Sequence, residues 1–152
     1  MKKNELKQLL IDKCSDYIET RLSTIQSNIG EIQESLTSET KSSAGDKHET
    51  GRAMLQLERE KAGQQLAEIE NVKNVLAQIN IKKLSETVIL GSLVYTSQFN
   101  YFMAISAGLL TVESEIVYAI SPQTPIGQLL LGKRVGDRFV FREQVIVVED
   151  IL

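Results

Sequence analysis

The sequence predicts an α+β chain in two parts. The first is an N-terminal antiparallel α-helical coiled-coil hairpin, residues 1–82. The second is a small twisted β-sheet domain with one short helix, residues 84–152. Three observations predict this. Residues 1–83 hold no Pro and repeat apolar side chains at three- and four-residue steps. A polar stretch near the middle of that half interrupts the repeat. Beyond it, β-branched and aromatic runs punctuated by Gly and Pro take over.

In the first helix Leu22, Ile25, Ile29, Ile32 and Leu36 step by three, four, three and four, and Ile18 and Ile11 extend the seam toward the N-terminus. That heptad pattern calls for a partner helix. Gly30 interrupts it at a cost of about 1 kcal/mol relative to Ala. The partner spans about Glu49 to Ile79, with Leu55, Ala62, Leu66, Ile69, Val72, Leu76 and Ile79 as its stripe. Between them Ser38 to Gly51 is rich in Ser, Thr, Gly and charge, which are turn and cap residues. Two helices of similar length joined by one turn make a hairpin. At 1.5 Å per residue it forms a rod roughly 50 Å long, with residues 42–52 as an acidic tip.

The second half reads as strands at Thr87–Thr96, Tyr101–Ser106, Glu115–Ile120, Arg138–Phe141 and Gln144–Val148. One short helix is expected from Thr124 to Leu131, with Thr124 as N-cap, Pro125 at the first helical position and Gly132 at the exit.

The 152 residues suit one ordinary domain or two small ones. With no Trp, four Phe and four Tyr, the core must be aliphatic. The formal net charge of −3 gives no global pull toward nucleic acid, so any RNA or DNA contact must be local or shared with a partner. The charge is uneven. Residues 1–83 carry 13 basic and 13 acidic residues, whereas residues 84–152 carry four and seven. Cys14 is the single cysteine, which excludes an internal disulfide and a Cys-based zinc site and suggests a reducing compartment. The first residues lack the apolar core of a secretory signal, and no run reaches the ~18 apolar residues of a membrane span. A cytoplasmic protein is expected, monomeric and without membrane contact.

The tip, KSSAGDKHETGRAM from Lys41 to Met54, carries the chemistry. Asp46 and Glu49 stand at i and i+3, so on a helical turn their Cβ atoms lie about 5–6 Å apart on one face. Two such carboxylates can converge on one Mg2+. That ion takes octahedral oxygen ligands, usually one or two carboxylates with water and phosphate completing the shell, so the pair suits half of a shared site. The same spacing is also a capping-box variant, in which Asp46 and Glu49 serve the helix start. Both readings stand. His48 is a lone histidine on an exposed turn and reads as solvent-facing. Arg52 and Arg59, seven apart, share a face that Lys41 can join. They read either as a solvated face or as a phosphate-contacting patch.

Two stretches carry a resemblance. ISPQTPIGQLLLGKRVGD, from Ile120 to Asp137, resembles the signature of the FKBP-like C-terminal domain of the Gre-type transcript-cleavage factors of bacterial RNA polymerase, with Thr124 where that family often has Ser. GDKHETGRA, from Gly45 to Ala53, is similar to the family's tip, with Asp46 and Glu49 on its two acidic positions. Thr50-Gly51-Arg52-Ala53 departs from the Asn-Ala-Glu-Tyr that usually follows. The resemblance implies an accessory factor, not a free-standing enzyme. Its tip enters the polymerase secondary channel, and Asp46 and Glu49 help hold a second Mg2+ shared with the polymerase active site. Lys41, Arg52 and Arg59 contact the RNA 3′ end, and Ser121, Pro122, Thr124 and Pro125 dock the channel rim. Backtracked RNA is then hydrolysed by the polymerase. The altered tip leaves room for a channel regulator without cleavage. The FKBP-like half raises a third class, an isomerase or chaperone, against which the scarcity of aromatic residues argues.

Overall fold

Two helices form the first half, α1 (Lys3–Lys41) and α2 (Gly45–Gln78). The computed structural model describes the backbone of residues 2–41 and 45–152, and the side chains of these except residues 40–48. The chain divides into two compact units, Ile18–Lys73 and a second made of Met1–Tyr17 with Asn74–Leu152.

Within Ile18–Lys73 the helices run antiparallel. The Lys73 ammonium pairs with Glu19 at 2.9 Å, and the Arg52 guanidinium donates to the Leu36 carbonyl at 3.5 Å. Partners thus descend along one helix as they ascend along the other. The heptad positions Ile18, Leu22, Ile25 and Ile32 are buried, as are Ala62 and Ile69 of α2, while Ile29 and Leu36 are half-buried. Gly30 lies on the solvent side, with nothing within 4 Å of where a Cβ would be.

The polar stretch is shorter as an interruption than the sequence suggests. Instead of a turn over Ser38–Gly51, α1 continues to Lys41 and α2 begins at Gly45. Cap-type residues cost only about 0.5 kcal/mol each inside a helix, and contacts across the hairpin offset that. The Glu39 carboxylate packs at van der Waals distance from the site of a Gly51 Cβ, and Arg52 bonds α1.

In the other unit the strands are β1 (Leu93–Thr96), β2 (Asn100–Met103), β3 (Gly108–Val112), β4 (Glu115–Ile120), β5 (Arg138–Phe141) and β6 (Gln144–Ile151), with α3 (Pro125–Leu130) between β4 and β5. The sheet order is β3-β4-β2-β1-β6-β5. It is mixed, since β2 and β4 are parallel and the other pairs antiparallel. One face carries the core of Val94, Tyr101, Met103, Ile120, Phe139, Ile146 and Val148, with Ile126 and Leu130 supplied by α3. The opposite face buries Leu93 and Phe102 completely. The same unit contains the start of α1, where Leu6, Leu10 and Cys14 are buried at four-residue steps and Ile11, expected on the seam, is only half-buried.

β4 and β5 match their sequence expectations, and β6 extends three residues further. β1 does not start at Thr87. Gly91 takes φ +96°, which breaks the strand, and Thr87 makes only an isolated bridge to Arg134. The site of a Gly91 Cβ lies 3.0 Å from Ile79 Cγ2, so the chain turns tightly on the residue after α2. β2 ends at Met103, and β3 was not expected at all. Among the described residues no helix is long and apolar enough to cross a membrane.

Candidate functional site

The backbone of α2 places Asp46 and Glu49 three apart in its first two turns. Because α2 starts at Gly45, Asp46 is already helical, whereas a capping box needs it in extended backbone ahead of the helix. The side chains of Lys41, Asp46 and His48 lie outside the described residues, and so do the hydrogen bonds that a cap or a metal site would require of Asp46. Glu49 is exposed. Acidic groups in the first turns are favoured by the positive end of the helix dipole, so this location tolerates two carboxylates.

The other tip candidates are engaged in different ways. Arg52 is half-buried, and its guanidinium reaches the Leu36 carbonyl. Arg59 folds toward the next turn of α2, its Nη1 3.1 Å from the site of a Gly63 Cβ. Two of the residues that depart from the expected tip pattern, Gly51 and Arg52, thus meet α1.

A metal-binding test on the donors gives a partial fit. Two carboxylates on one helix offer hard oxygen ligands suited to Mg2+, but they are too few for its octahedral shell. Among the described residues no group of three or more His, Cys, Asp or Glu side chains could hold a metal ion. An open polar groove of about 540 Å³ lies along the hairpin, lined by Ser23, Ser27, Asn28, Glu31 and Gln65 among others. It includes none of the tip candidates.

The stretch from Ser121 to Asp137 is built mainly by its own hydrogen bonds. The Thr124 hydroxyl donates to the Ser121 carbonyl at 2.7 Å and accepts the Gly127 N–H at 3.2 Å, the N-cap bond expected of it. Ser121 Oγ accepts the Gln123 N–H at 3.1 Å. A Cβ on Gly127 would collide with the Ser121 carbonyl oxygen and sit 2.8 Å from Thr124 Oγ1. Beyond α3, Gly132 at φ +83° lets its N–H donate to the Val88 carbonyl, and Val88 donates back to Lys133. Asp137 accepts the Arg134 N–H at 2.8 Å and closes the following turn. Each of these residue types is therefore required by the fold. Of the four docking candidates, Pro125 is exposed, and Ser121, Pro122 and Thr124 are half-buried.

Among the described residues, four ionisable groups elsewhere are displaced from their ordinary ranges, all in the sheet-containing unit. Burial pushes the Cys14 thiol up to about 12, which leaves it protonated and unreactive at neutral pH. Burial also pulls the Lys7 ammonium down. Tyr95 is pushed up to about 12, first by burial and then by Glu115, whose carboxylate accepts its hydroxyl at 3.2 Å, with a further contribution from Asp150. Burial raises Tyr101 as well.

Sequence reasoning missed the apolar surface on β3 and β4, where Leu109 and Ile116 are 56% and 54% exposed. The signal was a five-residue run opening on Gly108, which is too short and too plain to separate from loop.

No family model matches the chain, and no curated protein does. Among solved structures, the chain is similar to one described as the structure of the transcription factor Gfh1, with 20% sequence identity, 90% of this chain and 91% of that chain covered, and a TM-score of 0.36.

Proposed function

We propose that the chain is a Gre-like transcription factor that binds RNA polymerase, places its hairpin tip in the secondary channel and stimulates the polymerase's own cleavage of backtracked RNA. The observation that carries this reading is the position of Asp46 and Glu49 within the first two turns of α2, three apart, in a stretch similar to the acidic tip of that family. The resemblance of Ile120–Asp137 to the family's signature supports the partner. The chain acts as an accessory to hydrolysis by the polymerase and is not an enzyme alone.

In this reading Asp46 and Glu49 contribute two of the ligands to Mg2+, and the polymerase supplies the others. When held there, Mg2+ provides the water activation and charge stabilisation that phosphodiester hydrolysis needs. Glu49 is exposed and able to present its carboxylate outward. Arg59 and Lys41 stand on the same helical pair to meet RNA phosphates, and Arg52 supports them from its bond to α1. Pro125 and its neighbours meet the channel rim.

The experiment is RNA cleavage in purified, backtracked polymerase complexes. Asp46→Asn with Glu49→Gln is expected to slow stimulated cleavage by about 100-fold while polymerase binding persists. Unchanged cleavage by that double variant overturns the catalytic role. A second reading, a channel-binding regulator without cleavage, is favoured by Gly51 and Arg52, whose departures from the family's tip serve contacts to α1. Binding by the unaltered chain with no stimulated cleavage across a range of Mg2+ selects it.

A further inference from the structure

We draw no further inference here: the strongest candidate, the apolar face of the β3–β4 hairpin on which Leu109 and Ile116 are more than half exposed, is an unpartnered sheet face, and nothing in the structure shows what covers it.

Discussion

Gly30 in α1 and Gly127 in α3 are the same residue in two different kinds of structure. A Cβ at Gly30 would meet nothing within 4 Å, whereas one at Gly127 would meet the Ser121 carbonyl oxygen, Thr124 Oγ1 and Pro122 Cα. The hairpin of residues 18–73 is specified by a periodic seam in which any one position is replaceable by a similar apolar residue. The sheet-containing unit is specified at single positions, through a cap, a close approach and left-handed glycines that have no substitute. Sequence similarity concentrated in Ile120–Asp137 therefore reports first on the fold, because that stretch is where the fold depends on residue identity.

The sharpest way to break this comparison is Gly127→Ala. The added methyl meets backbone atoms, which cannot give way like the end of a long side chain. A loss of about 3 kcal/mol or more is expected, enough to unfold a marginal unit. Urea denaturation monitored by tyrosine fluorescence reads it, since all the tyrosines but Tyr17 lie beyond residue 94. A loss under about 1 kcal/mol would mean that the Thr124 cap and the Ser121 turn are less fixed than their hydrogen bonds indicate.

Much of the fold was legible because its signals are local. Thr124, Pro125 and Gly132 each act within one turn, and the cap bond from the Gly127 N–H is the one their order predicts. β4 and β5 are bounded by turn residues and match to the residue. The failures need distant information. Gly91 ends the run before β1 because the chain must turn beside Ile79, twelve positions earlier. Ser38–Lys41 stays helical and Gly51 sits inside α2, because Glu39 packs beside Gly51 and Arg52 bonds the Leu36 carbonyl across the hairpin. β3 becomes a strand because β4 offers it an antiparallel partner over its whole length. At the tip, the spacing of Asp46 and Glu49 was legible, but the start of α2 at Gly45, which puts Asp46 in the first helical turn, was not.

Alkaline pH tests the sheet-containing unit at a smaller scale. Tyr95 ionises near pH 10 in an unfolded chain and at about 12 when folded. The folded state holds its proton more tightly, so this contribution is complete below pH 10 and is lost as the pH rises through about 12. Cys14, raised from 9.0 to about 12, acts with the same sign. Solvent screening at the partly exposed Tyr95 keeps its contribution small. Tyr95→Phe should cost about 1 kcal/mol at neutral pH through the lost bond to Glu115. It should also reduce the fall in stability between about pH 8 and about pH 11. Urea midpoints of both chains at the two pH values check it. An equal fall in both assigns the alkaline loss to other groups.

The smallest effect carries the opposite sign. Gly30→Ala replaces a residue with excess unfolded-state freedom, in an exposed helix interior, by the best helix former. Nothing in the structure resists the methyl, so the hairpin should gain about 0.5–1 kcal/mol. Because the two units need not unfold together, amide exchange over residues 26–34 is the direct readout, and it should slow by about threefold or more. Faster exchange, or no gain, would show that Gly30 is held by something other than helix propensity, and the hairpin could no longer be regarded as tolerant at every single position. Paired with Gly127→Ala, the same methyl group then measures how differently the two units store the information for their folds.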